Sequence, residues 1–354
     1  MKKIKVAING YGVIGKRIAD AIAAQDDMEL IGISDVVKDW RIKVAIAKKY
    51  PVYASTPESF AAMKSAGIEV AGTLDDLIKN ADVVCDATPK KIAASNFDKY
   101  KQAGVRCIFQ GGEKHALTGH SFVAQANYES AIGRDSTRVV SCNTTATVRI
   151  LGALKRVDLL KHAYGVLVRR ATDPWESDVS GIINTIVPES AIPSHQSSDA
   201  QTIIPDLSLT TIALTVPETI SHFHSWQIEL TRPVTKEEII KIFTQTSRVV
   251  FLKASEGLSA LNHTLELMND LGRPRGDMWE VGIWLDSLTL NNTYLAFNVQ
   301  VYNQAIVVPE TIDAIRALTG IETVSATSIA KTDKALGILQ GEVFKSFLNI
   351  ENGN

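Results

Sequence analysis

At 354 residues the chain exceeds what one hydrophobic core commonly organises, so two domains are expected. Hydrophobic residues at 45% and charged residues at 21% supply those cores and exclude a disordered chain. The 37 basic and 39 acidic residues nearly cancel to a formal charge of -2, and without a run of like charges this excludes nucleic-acid and membrane-surface partners.

The chain opens Met1-Lys2-Lys3-Ile4-Lys5-Val6, where lysine interrupts the apolar run before a signal-peptide core could form. No stretch approaches the roughly 18 apolar residues of a bilayer span, so a cytoplasmic location is expected. Ile4–Asn9 reads as a buried strand. It leads through Gly10-Tyr11-Gly12 into a helical pattern with Ile14, Ile18, Ala21 and Ile22 on one face. A second strand is predicted at 30–34, a helix at 39–49 and a further strand at 83–87. Alternating strands and helices over the first 140 residues predict an α/β Rossmann-type domain, doubly wound on a mostly parallel sheet.

The pattern changes after Cys142. An amphipathic segment at 146–157 precedes β-rich stretches at 163–169, 203–216, 221–231, 281–290 and 294–302. Runs of strands with few helices predict an α+β catalytic domain on a largely antiparallel sheet. Helical periodicity returns at 309–318 and 326–347. The expected division is 1–141 for the first domain and 142–306 for the second, with 307–354 packing back on the first.

Gly10-Tyr11-Gly12-Val13-Ile14-Gly15 matches the dinucleotide fingerprint, whose glycines permit a tight turn and let backbone amides approach a pyrophosphate. Such a turn can simply join strand to helix, but here the flanking context is right and Asp35 ends the second strand. A carboxylate there accepts hydrogen bonds from ribose hydroxyls and repels a 2′-phosphate, which favours NAD. Lys38 and Arg41 lie close enough in sequence to neutralise such a phosphate and keep NADP open.

Cys85, Cys107 and Cys142 are odd in number and lack metal-like spacing, so neither a disulfide framework nor a metal site is expected. Cys85 and Cys107 sit in apolar runs and read as core residues. Cys142 differs: Ser141, Asn143, Thr144 and Thr145 surround it at a strand-to-helix junction. The start of a helix favours a thiolate, the nucleophilic form. His222 and His224 share one face of an alternating strand, so the residues alone do not choose between them as its partner. His120, His162 and His263 read as ordinary core or surface residues.

Three runs then carry a specific resemblance: Asn9-Gly10-Tyr11-Gly12-Val13-Ile14-Gly15-Lys16, Phe109-Gln110-Gly111-Gly112-Glu113-Lys114-His115 and Ser141-Cys142-Asn143-Thr144-Thr145. With Val168-Arg169-Arg170, Asp173-Pro174, Pro193-Ser194-His195 and Val216-Pro217-Glu218-Thr219, the chain resembles archaeal-type phosphorylating glyceraldehyde-3-phosphate dehydrogenases from residue 4 to residue 340. The resemblance implies Cys142 as nucleophile and His222 as its activating histidine. It implies Arg169, His195, Gln196, Ser141, Asn143 and Thr144 around a phosphorylated aldehyde and inorganic phosphate. It also implies Gly112, Arg170 and Asn303 beside the dinucleotide, and a homotetramer.

Three departures stand out. Ala146-Thr147-Val148-Arg149 replaces Gly-Leu-Cys-Arg, and Asp35 stands where the family commonly has lysine. His195-Gln196 replaces paired histidines, which puts the substrate in question, and two alternatives stand beside the main reading. One is a related sugar-phosphate or semialdehyde dehydrogenase, acting for example on erythrose 4-phosphate. The other is a catalytically silent NAD-binding protein.

Overall fold

A computed structural model describes residues 3–110 and 112–352. Gly111, in the second run above, and the last residues of the 307–354 stretch lie outside the described residues. The chain divides into two compact units, one of 1–141 with 308–336 and the other of 142–307 with 337–354.

Among the described residues the first unit holds eight strands: β1 (Ile4–Asn9), β2 (Met28–Asp35), β3 (Val52–Ala54), β4 (Gly72–Thr73), β5 (Val83–Asp86), β6 (Arg106–Phe109), β7 (Ser121–Phe122) and β8 (Ser136–Val139). They pair in parallel in the order β4-β3-β2-β1-β5-β6-β8-β7. The order reverses between β1 and β5, the point in a doubly wound sheet where ligands bind beyond the strand ends. Val6, Ala7, Ile8, Val83, Val84 and Cys85 are fully buried, as expected of strands covered on both faces.

The second unit holds β9 (Leu160–Arg170), β10 (Val187–Pro188), β11 (Leu209–Val216), β12 (His222–Leu230), β13 (Val249–Leu252), β14 (Val281–Trp284), β15 (Thr289–Asn291), β16 (Tyr294–Val301) and β17 (Gly341–Glu342). The main path runs β10-β11-β9-β12-β16-β14-β13-β17, with β15 pairing β16. The sheet is mixed and mostly antiparallel, with β9–β11, β13–β14 and β13–β17 parallel. Trp226 of β12 is fully buried opposite Gly165 of β9. A Cβ on Gly165 would lie 2.4 Å from the indole, so the glycine is what admits the ring.

Local chemistry redraws some expected boundaries. The strand predicted at 203–216 begins only at Leu209, because Pro205 has no N–H for a ladder and 203–207 close as turns. The segment at 281–290 breaks after Trp284 into a 3-10 turn. The periodic stretch at 326–347 is two helices, Ser325–Leu336 and Val343–Asn352, interrupted by Gly337 and Gly341 at positive φ. The expected return of the whole C-terminal stretch to the first domain is corrected accordingly. Residues 308–336 belong to the first unit, whereas Gly341 and Glu342 pair with the edge strand β13 of the second. The open N–H and C=O groups of that edge are the physical reason. Among the described residues no helix is long and apolar enough to cross a membrane.

Candidate active site

In the first unit the fingerprint loop leaves β1 with Gly10 at φ +91°, where a Cβ would meet the Thr88 amide nitrogen at 2.8 Å. A Cβ on Gly15 would lie 1.8 Å from the Gly10 carbonyl oxygen, so both positions require glycine. Around the Gly12 Cβ position nothing lies within 4 Å, which leaves an open approach. Gly12 caps the helix Val13–Ala23 without a side-chain hydrogen bond, and no acidic residue sits in the first turn. Val13 and Ile14 therefore present first-turn amides that have no carbonyl partner within their own helix. The cradle fits a pyrophosphate.

Asp35 ends β2 beside this loop. Its Oδ2 accepts from the Tyr11 amide at 2.7 Å, and its Oδ1 from the Val36 and Val37 amides at 2.6 and 3.2 Å. Arg41 is held by Asp39 through hydrogen bonds of 3.0 Å, and Lys38 is exposed. Gly112 is exposed in the loop after β6, and its Cβ position lies 3.7 Å from the Lys90 Cβ.

Beneath the loop lies a network that sequence reasoning missed. Asp86, fully buried at the end of β5, accepts from Tyr100 Oη at 2.7 Å, Asn96 Nδ2 at 3.0 Å and the Thr88 amide at 2.9 Å. Asn9 donates to Tyr100 Oη at 2.8 Å and accepts from Ser34 Oγ at 2.8 Å and Ser55 Oγ at 3.1 Å. The network ties β1, β2 and β5 where the order reverses. Its only signal in the sequence was polar residues ending apolar strands.

In the second unit Cys142 opens the helix Cys142–Lys155, half-buried and unpaired, with Ser141 half-buried just before it. Burial pushes the thiol up to about 11; the Arg170 guanidinium and the Asn143 and Cys142 amides pull it down, and Asp173 pushes it further up. Desolvation therefore opposes the stabilisation that the helix start gives an ionised sulfur. Cys85 and Cys107 are fully buried, and burial pushes both thiols upward, Cys107 to about 12.

The two histidines separate clearly. Alternation along β12 turns His222, His224 and Trp226 to one buried face. His224 Nε2 meets Asn143 Oδ1 at 2.8 Å, and burial alone pushes the ring down to about 3. His224 is thereby a tie between β12 and the cysteine helix. His222 Nδ1 accepts from the Arg170 amide at 3.1 Å, so the neutral ring carries its proton on Nε2. Burial holds it well below the ordinary histidine range, with His224, Arg170 and Arg169 adding to the effect. Among the described residues His222 Nε2 has no hydrogen-bond partner, and it is the donor left for a ligand.

Arg169 and Arg170, adjacent at the end of β9, turn to different partners. Arg170 donates to the carbonyls of Thr172 at 2.6 Å and Thr219 at 3.3 Å and pairs with Asp173, which also accepts from Gln304 at 2.9 Å. Asp173 and Gln304 are thus positioning residues absent from the expected set. Arg169 faces Glu189 at 3.4 Å, and Glu189 accepts from His195 Nδ1 at 2.8 Å. Asn303 follows β16, two positions beyond the partner of His222, and its Oδ1 is buried with no partner. An orphaned acceptor of this kind fits the N–H groups of a carboxamide.

Three of the expected substrate contacts have hydrogen-bond partners within the second unit. Thr144 is fully buried and donates to Asp199 at 2.8 Å, tying the cysteine helix to the helix His195–Gln201. Gln196 is buried and accepts from Ser194 Oγ at 2.6 Å, and Asn143 is engaged by His224. Buried side chains with satisfied partners hold the scaffold. Among the described residues no group of His, Cys, Asp and Glu is arranged to hold a metal.

Comparison with known proteins adds the following. Residues 141–269 match the family described as glyceraldehyde 3-phosphate dehydrogenase, C-terminal domain, and residues 4–143 match dihydrodipicolinate reductase, N-terminus. Glyceraldehyde-3-phosphate dehydrogenase of Methanobrevibacter smithii is 46% identical over 94% of this chain and 99% of its own length. The proteins of the same name from Methanosarcina mazei and Pyrococcus furiosus are each 45% identical over 96% of this chain and 100% of theirs.

Proposed function

The chain belongs to the glyceraldehyde-3-phosphate dehydrogenase family of nicotinamide-dependent oxidoreductases, and from that premise we propose that Cys142 carries a phosphorylating oxidation of glyceraldehyde 3-phosphate to the acyl phosphate. The observation that carries the reading is the double use of Arg170. Its amide fixes the tautomer of His222, while its guanidinium opposes the upward shift of the Cys142 thiol.

The Cys142 thiol releases its proton to water, and Sγ bonds to the aldehyde carbon while the carbonyl π pair moves to oxygen. The Nε2–H of His222 donates to that oxyanion, with the amides at the helix start as further donors. When bound, the nicotinamide would supply the acceptor for the hydride of the aldehyde carbon. The oxygen pair then re-forms the carbonyl, leaving a thioester on Cys142. A phosphate oxygen attacks that carbon, and Sγ departs as thiolate. Asn303 Oδ1 would hold the carboxamide, and Val13 and Ile14 the pyrophosphate. Arg169 and His195 supply the donors for the anionic groups of the substrates.

Omitting inorganic phosphate tests the reaction type. With glyceraldehyde 3-phosphate and NAD, a first burst stoichiometric with enzyme is expected, followed by near arrest at the thioester. Unchanged steady turnover without phosphate would replace phosphorolysis with hydrolysis. A cytoplasmic homotetramer completes the proposal.

NAD is the proposed coenzyme. The Asp35 carboxylate takes up three amides, of Tyr11, Val36 and Val37, that would otherwise face an anion. Asp35→Ser should raise kcat/KM with NADP relative to NAD by about tenfold or more, the scale of one charge-assisted hydrogen bond. Steady-state assays with both coenzymes read this ratio, and an unchanged ratio would place the discrimination elsewhere.

A further inference from the structure

The Arg169–Glu189–His195 cluster contains an anion supplied by the protein itself. Val187 of β10 and Arg169 of β9 both lie opposite Thr215 across β11, so they sit on the same side of the sheet. Glu189 follows two residues after Val187 and returns to that side. Its amide donates to the Ala213 carbonyl at 2.8 Å, and the Ser194 amide donates to the Thr211 carbonyl at 2.7 Å. Both ends of the connecting loop are therefore fixed to one strand. The Glu189 side chain lies between Arg169 and His195 as a result.

Its Oε1 accepts from the His195 amide at 3.0 Å and from His195 Nδ1 at 2.8 Å, while Oε2 faces the Arg169 guanidinium at 3.4 Å. Arg169 Nε is buried and unpartnered, so the guanidinium is only partly satisfied by the carboxylate. Donors converging from a guanidinium, a ring nitrogen and a backbone amide form a set suited to a tetrahedral dianion. A carboxylate with two oxygens engages them incompletely.

We propose that Glu189 is a specificity-determining residue that occupies the Arg169–His195 anion site and must be displaced when a phosphate group binds there. The proposal rests on the reading of Arg169 and His195 as phosphate-binding residues. It adds a competing charge that sets how tightly they hold their ligand. Donor chemistry of this kind is common to a phosphate carried by the aldehyde and to inorganic phosphate. The fixed backbone of Glu189 confines displacement to rotation of its side chain.

The test is Glu189→Gln, which keeps the size and the acceptor for the His195 amide but removes the charge. Michaelis constants are measured separately for glyceraldehyde 3-phosphate and for inorganic phosphate, with sulfate as a non-reacting competitor. The constant for the phosphate held by this pair should fall about fivefold, the scale of one partly exposed ion pair, and the sulfate inhibition constant should fall with it. The kcat should move less, and which constant falls identifies the source of the phosphate. If both constants rise or stay the same, Glu189 merely positions His195 and the proposal is overturned. Arg169→Ala, measured in parallel, keeps the two claims apart. A raised constant in Arg169→Ala beside an unchanged one in Glu189→Gln sinks the proposal and spares the site. Unchanged constants in Arg169→Ala sink both.

Discussion

Cys142→Ser is expected to lower kcat with glyceraldehyde 3-phosphate by at least about a thousandfold, because an alkoxide is far harder to generate than a thiolate. Protein stability should change little, since the thiol is half-buried and makes no disulfide. Mass spectrometry after incubation with aldehyde and NAD should find the acyl adduct on Cys142 in the parent chain and none in the variant. Near-normal turnover by Cys142→Ser would remove covalent catalysis from this residue. The resting state of the thiol is open to the same kind of test. Alkylation by iodoacetamide in the cofactor-free protein should accelerate with pH towards a midpoint of about 11. Arg170→Ala should move that midpoint higher, because the lost positive charge favoured the ionised sulfur.

The second large effect separates the two histidines. His222→Ala should reduce kcat by about a hundred- to a thousandfold, the usual consequence of removing one oxyanion donor. His222→Gln should recover part of the loss, since its amide can still donate. Because the ring is held neutral, no titration of His222 should appear in the pH–rate profile through the ordinary histidine range, where activity should follow ionisation of the Cys142 thiol. His224→Ala should act mainly on the melting temperature. It leaves Asn143 Oδ1 buried without its partner, at a cost of about 1–3 kcal/mol. A larger kcat loss in His224→Ala than in His222→Ala would reverse the assignment.

These contrasts mark where local sequence stops being informative. Alternation along β12 placed both histidines on one face, and the structure agrees. The pattern carried no information on which ring meets Asn143 and which meets the Arg170 amide, because those partners lie 81 and 52 residues away. The polar company of Cys142 read as a ligand site. Thr144 and Asn143 nevertheless point to Asp199 and His224, since a helix start buried on several sides must satisfy its own polar groups before any ligand. Glu189 and Gln304 had no local signature, and Asp173 stood only in a run that carried the resemblance. Each matters through a partner that strand pairing or a loop closure brings to it.

Alternating strands and helices, the glycines that let β1 turn into its helix, Asp35 at the end of β2 and a cysteine at a strand-to-helix junction were legible from the residues alone. Those features depend on periodicity and backbone conformation, which neighbouring residues encode. The direction of the thiol's shift, the tautomer of His222 and the side to which residues 337–352 pack depend instead on the folded chain. Each of those turns on desolvation and on hydrogen-bond partners distant in sequence, whose positions are fixed by sheet register.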